Sequence, residues 1–204
     1  MRVVIVAVLF ALSSIAMAAD TPSVEFGNET FSLGFEDQRT LPDGQPGNGL
    51  AEFTLPGESV DNWSKLFAFY SYPEMNVDPV TAVEAVGKAV KESNKDANYA
   101  IVTNDKGEAI IDFLTWAPDS DVMEFNVFKY APAADGRGLV AMQYAQHVKL
   151  GDTDVEQMRE LRATSVADMA ATDIDQAQKY FAAKRARSAS AGEPSTLARA
   201  GRTR

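Results

Sequence analysis

The chain has 204 residues, a formal net charge of −10, 46% apolar residues and no cysteine. The lack of cysteine excludes disulfide bonds, a lipid-modified N-terminal cysteine, a thiol nucleophile and a thiolate metal site. The stretch before the basic C-terminal end holds roughly 160 residues, which is enough to bury the core of one ordinary domain.

The N-terminus predicts a signal peptide over residues 1–18. Arg2 supplies a positive charge, residues 3–15 form an apolar run, and Ala16-Met17-Ala18 places small residues where signal peptidase requires them. The alternative is a membrane anchor, but a span needs about 20 apolar residues, and two serines interrupt this run. We therefore expect cleavage near Ala18 and a periplasmic or secreted protein.

Charge divides the rest of the chain. Residues 19–178 carry 11 Lys and Arg against 28 Asp and Glu, a net of −17, whereas residues 179–204 carry seven basic residues against Glu193, a net of +6. We interpret the first part as a single domain, whose acidity should repel nucleic acid. The second part is predicted to be a basic, largely disordered tail. Tyr180 and Phe181 can still continue a helix, but the composition beyond Arg185 buries little apolar surface. That tail is either a solvated extension or binds an anionic envelope surface.

Residues 50–72 form the stretch around which the domain should be built. They follow a predicted hairpin (24–26 with 30–35) and a Pro- and Gly-rich surface loop (40–49). Six of the 23 residues are aromatic, and alternation places Trp63, Phe67 and Phe69 on one face of the second apolar run. Because the other face is apolar as well, this run predicts a central strand that is covered on at least one side.

Two helices and four further strands complete the predicted domain. Asp78-Pro79 is a helix start, because Asp78 can cap the free N–H groups and proline suits the first helical position. Apolar spacing then predicts a helix over 79–93 and a second over 153–170, with Arg159 and Arg162 outside the apolar stripe of the second. The last strand should bury one face and leave the other in water. The four strands are predicted at 99–103, 108–116, 122–130 and 139–150.

The candidate ligand-binding residues are three aromatics and one acid. We predict that Trp63, Tyr70 and Trp116 line a cleft between sheet and helix; the alternative is that they belong to the core. Asp112 interrupts an apolar strand. If it is buried, its pKa should rise and it would suit acid–base chemistry, whereas at a strand edge, or paired with Lys129, it would have no such role.

Common catalytic and metal-binding patterns are absent from the sequence. It contains no G-x-S-x-G motif and no phosphate-binding loop, and its only histidine, His147, is interpreted as an exposed strand residue. Turns and helix caps explain the closely spaced acidic pairs better than calcium does. We predict no catalytic residue, no cofactor and no metal site.

Two short segments resemble a motif of a group of uncharacterised exported bacterial proteins. The segments are FTLPGE, from Phe53 to Glu58, and DNWSKL, from Asp61 to Leu66. The shared motif is a Pro-Gly-Glu-like turn, followed by Asn-Trp, a Ser or Thr, and a leucine two positions further on. The similarity runs from about residue 50 to residue 170. It implies a PsbP-like layout, a sheet flanked by helices, and brings no catalytic residue with it.

Together these patterns predict one α+β domain, an antiparallel sheet of six or more strands flanked by two main helices, PsbP-like as the resemblance implies. The expected function is non-enzymatic binding of an unknown protein or small-molecule partner in the sheet–helix cleft. One alternative is a hydrolase that uses the carboxylates of Asp112 and Glu58. The other is an envelope-associated protein that is held by its basic tail.

Overall fold

The computed structural model describes residues 21–117 and 120–191, with side chains described through residue 187. The predicted signal peptide and residues 192–204 of the predicted tail lie outside the described residues. The elements in chain order are β1 (Ser23–Phe26), β2 (Glu29–Thr40), β3 (Pro46–Thr54), β4 (Lys65–Tyr72), α1 (Pro79–Ser93), β5 (Tyr99–Thr103), β6 (Ala109–Trp116), β7 (Val122–Pro132), β8 (Leu139–Lys149), α2 (Val155–Ala171) and α3 (Asp175–Ala191).

The eight strands form one antiparallel sheet in the order β1-β2-β3-β4-β8-β7-β6-β5. Two four-stranded meanders, β1 to β4 and β5 to β8, meet where β4 pairs with β8 and Phe69 lies opposite Met142. Within each meander, consecutive strands are joined by short connections, which suit neighbouring antiparallel strands. The prediction of an antiparallel sheet is confirmed.

The predicted PsbP-like layout, with two main helices flanking the sheet, is wrong. In the described part of the chain, the fold is a curled half-barrel sheet of eight strands that carries three short helices. One helix, α1, packs on one face, while α2 and α3 share the other. The extent of the sheet depends on the β4–β8 pairing, and strands so far apart in the chain leave no local sequence period that reveals their pairing.

The central position of β4 confirms the role predicted for residues 50–72. On one face Phe67 is fully buried, with its ring 5.1 Å from that of Phe26 and 5.7 Å from that of Phe69. On the other face Leu66 is buried as well. The predicted orientation of Trp63 is wrong, because this residue precedes the strand and packs beside Leu66 on the opposite face.

The largest core lies between the sheet and the helices α2 and α3. Aromatic and aliphatic side chains of the sheet pack there against Met169 of α2 and Phe181 of α3, which is 1% exposed. Helix α3 thus includes residues 179–191, the first part of the predicted basic tail. None of the helices in the described ranges is long and apolar enough to cross a membrane.

Helix α1 covers part of the opposite face and has the predicted bounds. The Asp78 side chain accepts a hydrogen bond from the backbone N–H of Thr81 at 2.9 Å and so caps its first turn. Val83 of α1 packs in a cluster with Ile111 and Ala141 of the sheet. Ala141 belongs to the face of β8 that was predicted to lie in water. That prediction is wrong at this residue, because α1 shields it from water.

Half of the predicted surface loop at 40–49 is strand. β2 continues to Thr40 and β3 begins at Pro46, so only a tight turn remains, closed by a 2.8 Å hydrogen bond from Leu41 N to Gln45 O. Proline is tolerated at the first residue of a strand. The Pro and Gly signals therefore marked the ends of the strands rather than a long loop.

Candidate functional site

An open cleft lies between the N-terminal half of α2 and strands β5 to β7. Its volume is about 340 Å³. The walls are mainly apolar, and one acid and two arginines add polar groups. The side chains that matter for its chemistry are Ala100, Leu114, Phe125, Val155, Met158, Asp112, Arg159 and Arg162.

The start of α2 is fixed by a capping box. Asp154 accepts a hydrogen bond from the N–H of Gln157 at 2.9 Å, and the side chain of Gln157 accepts one from the N–H of Asp154, also at 2.9 Å. The first turn of the helix therefore begins directly at the cleft. Val155 lies there with 69% of its surface exposed, so this part of the apolar wall is open to solvent.

Asp112 and Arg162 form a paired polar group in this cleft. The Asp112 side chain is 5% exposed and the Arg162 side chain 50% exposed. Nε and Nη2 of Arg162 donate to the two carboxylate oxygens of Asp112 at 2.6 and 3.0 Å, and these bonds raise the pKa of Arg162 above its ordinary value. Two of five guanidinium N–H donors are engaged in this way, which leaves others for a ligand.

The expected alternative partner of Asp112, Lys129, binds elsewhere. Its ammonium group donates to the carbonyl oxygens of Ala170 and Thr172 at the C-terminal end of α2, at 3.4 and 2.9 Å, and lies 3.0 Å from a carboxylate oxygen of Glu108. A cation there also complements the helix dipole. Asp112 and Lys129 therefore attach α2 to the sheet at two separate points.

The four predicted site residues are not brought together. Asp112 lines the cleft, whereas Trp63 and Tyr70 lie on the other face of the sheet and Trp116 packs at the edge of the α1 cluster. Trp63 stacks on His147 with ring centroids 3.9 Å apart. The imidazole Nδ1 of His147 also lies 2.8 Å from the carbonyl oxygen of Trp63.

Tyr70 begins a chain of polar side chains across that second face. Its hydroxyl donates to Gln143 at 2.5 Å, Gln143 donates to Asn126 at 2.7 Å, and Asn126 donates to Glu124 at 2.8 Å. Burial, and then the negative charge of Glu52, raises the pKa of Tyr70 well above its ordinary value. Tyr70 is therefore a neutral, hydrogen-bonded part of the sheet rather than a wall of the cleft.

Glu58, the second acid of the hydrolase hypothesis, holds the turn between β3 and β4. Its carboxylate accepts hydrogen bonds from the backbone N–H of Ser64 at 3.0 Å and from the Ser64 hydroxyl at 2.6 Å. Partial burial pushes the pKa of Glu58 up, but the bonds from Ser64 and Lys65 outweigh it and keep the pKa below its ordinary value. Gly57 reaches a φ of +85° in the same turn, which glycine adopts easily.

The residues that the sequence patterns did not reveal are on α2. Arg162 was predicted to lie outside the apolar stripe, yet it lines the cleft with Val155, Met158 and Arg159. These residues recur at intervals of three and four, so they share one side of the helix. That spacing was the available signal. Within the two described ranges, no group of three or more His, Asp or Glu side chains is placed to hold a metal ion.

Residues 19–177 match the model of an uncharacterised protein family. The chain belongs to that family. The matched range covers the whole sheet, α1 and α2, and therefore the cleft. A comparison with curated proteins found no match. Membership of an uncharacterised family is thus confirmed, as the resemblance implied.

Proposed function

We propose that the protein is exported and binds a small, mainly apolar ligand that carries one polar group, without catalysing a reaction. The observation that carries the proposal is the open cleft beside α2, with apolar walls and a half-exposed Arg162 at the buried Asp112. Its volume of about 340 Å³ falls in the range of small-molecule sites, which combine apolar lining with a few placed polar groups.

The ion pair supports selectivity for such a ligand. Because both oxygens of Asp112 hold the guanidinium, Arg162 is oriented before any ligand arrives, and little side-chain entropy remains to be lost on binding. The free N–H groups of Arg162 can donate to a carboxylate, sulfonate or carbonyl, while Leu114 and Met158 contact the apolar part.

The contacts of the acids and of the histidine support a role without catalysis. Asp112 and Glu58 accept hydrogen bonds that join segments of the fold. The Ser64 hydroxyl donates to Glu58, while the ring nitrogens of His147 lie 2.8 Å from the Trp63 carbonyl and 3.7 Å from Glu124. No described serine is thus activated by this imidazole.

Export is supported by two sequence observations. Residues 1–18 have the composition of a signal peptide, and the family match begins at residue 19, directly after the predicted cleavage site. We place the mature protein in the periplasm or outside the cell. The Pro-Gly-Glu and Asn-Trp segments are proposed as a signature of the family, and a protein partner at the cleft is the alternative to a small ligand.

A pair of tryptophan substitutions on β5 tests the cleft. Ala100 lies opposite Asp112 in the sheet and lines the cleft, whereas Val102, two residues further on the same side of the strand, lies outside the lining. The probe is 8-anilinonaphthalene-1-sulfonate, which joins an apolar ring system to an anion. Ala100→Trp should weaken its binding at least tenfold by filling the cleft, and Val102→Trp should leave it unchanged.

The measurement is a fluorescence titration, with thermal unfolding of both variants as the control for folding. N-phenyl-1-naphthylamine, the same ring system without the sulfonate, should bind about tenfold more weakly if Arg162 selects a polar group. Equal loss in both variants, or no saturable binding by the wild type, would overturn the proposal.

A further inference from the structure

A second cavity, of about 680 Å³, lies where the β2–β3 turn, the β7–β8 turn and α3 meet. It shares no lining residue with the cleft beside α2. Four cationic side chains line it, with one carboxylate among them. They are Arg39, Arg137, Lys184, Arg185 and Asp135.

The charge of this cavity is opposite to that of the domain around it. Its lining carries four positive groups against one negative group, whereas residues 19–178 carry a net −17. Like charges that converge from separate segments repel one another, and a concave site concentrates their field. An anion in the cavity would relieve that repulsion.

Within the described part of the chain, two of the cations have carboxylate partners and two do not. Arg185 lies 3.3 Å from Asp135, and Lys184 pairs with Glu36. Arg39 and Arg137 form no ion pair with any residue that the structure describes; Arg137 donates to the neutral Gln45 side chain at 3.0 Å. These two guanidinium groups therefore supply the positive charge that is not compensated by the described residues of the cavity.

The cavity is held in place by the packing of α3. Phe181 of α3 is 1% exposed and lies so close to Gly49 that a β-carbon there would be 2.6 Å from its ring. The Tyr180 hydroxyl and the Lys184 ammonium both bind Glu36 of β2. The positive groups of α3 are thus fixed against the sheet before any ligand binds.

We propose that this cavity binds a phosphate-bearing anion. Guanidinium groups form forked, charge-assisted hydrogen bonds with phosphate oxygens, and the two arginines that lack a described carboxylate partner offer such donors inside the cavity. The phosphate belongs either to a soluble compound or to a lipid headgroup.

Inorganic pyrophosphate is the probe, measured by isothermal titration calorimetry with the purified protein. Arg39→Gln and Arg137→Gln should each lower its affinity about tenfold. Lys88→Gln, which removes one positive charge from a side chain of α1 that is 78% exposed, is the matched control and should leave the affinity unchanged. Thermal unfolding shows that each variant is folded, and higher salt should weaken binding.

Flotation with vesicles of phosphatidic acid and phosphatidylcholine separates the two sources. If the protein floats with the vesicles and pyrophosphate releases it, the ligand is a lipid headgroup. If the protein binds pyrophosphate but does not float with the vesicles, the ligand is a soluble phosphate compound. Absence of pyrophosphate binding, or an equal loss in Lys88→Gln, would overturn the proposal. Arg39 and Arg137 do not line the cleft beside α2. A failure of pyrophosphate binding would therefore leave the proposed function unaffected.

Discussion

Replacing Arg162 with alanine tests whether the Asp112–Arg162 pair holds α2 on the sheet. The variant leaves a carboxylate that is 5% exposed without its donors at 2.6 and 3.0 Å. Removing one partner of a fully buried pair costs on the order of 3–5 kcal/mol. Because the Arg162 side chain is half exposed, water will replace part of the lost contact, and we expect a loss of about 2 kcal/mol in the free energy of unfolding.

Urea unfolding, followed by the fluorescence of the two tryptophans, measures this loss. Arg159→Ala is the matched control, since Arg159 lies on the same side of α2, is 72% exposed and pairs only with the exposed Glu156 among the described residues. It should cost less than about 0.5 kcal/mol. The double variant Asp112→Ala/Arg162→Ala leaves no unpaired charge at this contact, so the two single losses should exceed the double loss by about 1–2 kcal/mol.

Two results would refute this reasoning. One is an Arg162→Ala variant that is no less stable than Arg159→Ala. The other is strict additivity of the Asp112 and Arg162 substitutions, which would mean that the two side chains do not stabilise one another. In either case, the pair could not be the fixed polar group on which selectivity in the cleft depends.

Three further predictions concern the sheet. Gly138→Ala should cost more than about 3 kcal/mol of stability, because φ is +71° and a β-carbon would lie 2.0 Å from a backbone oxygen at the end of β4. The control Gly136→Ala, where φ is +73° and no atom lies within 4 Å, should cost only about 1–2 kcal/mol. Equal shifts in Tm for the two variants would contradict a close backbone approach at Gly138. Phe67→Ala should lose about 3–5 kcal/mol in urea unfolding, whereas Phe35→Ala, at a side chain that is 44% exposed, should lose less than about 1 kcal/mol; similar losses would argue against β4 as the centre of the core. Burial raises the pKa of Glu52 above 4.5, so the folded state holds this proton more tightly than the unfolded state. The resulting loss in the free energy of unfolding is absent below pH 4.5 and complete once the pH exceeds the folded pKa. Glu52→Gln should therefore be more stable than the wild type at neutral pH and lose that advantage in acid, and a pH-independent difference would contradict this prediction.

Local signals in the sequence located the elements well. The cap at Asp78 and the apolar period after it predicted α1 at its observed bounds, because both act within a few residues. The apolar residues on both faces of β4 predicted a central strand that is covered on at least one side, since such a strand keeps them from water. These features need no knowledge of distant segments.

The candidate site could be predicted only in part. The sequence showed an acid within an apolar strand, but the partner of Asp112 lies 50 residues further along the chain. Trp63 and Tyr70 were expected beside Asp112, but they lie on the other face of the sheet, and β8 and β7 also separate β4 from β6. The cleft itself exists only once α2 has docked.

Composition and contacts between near neighbours are enough to establish the lack of thiol chemistry, the bounds of α1 and the buried aromatic strand. The order of the strands, the face on which each helix packs, and the meeting of Arg39 and Arg137 with α3 follow only from the folded chain. Such contacts join segments that are far apart in the sequence. Their free energy depends on the geometry of the whole sheet, and no local period of side chains encodes it.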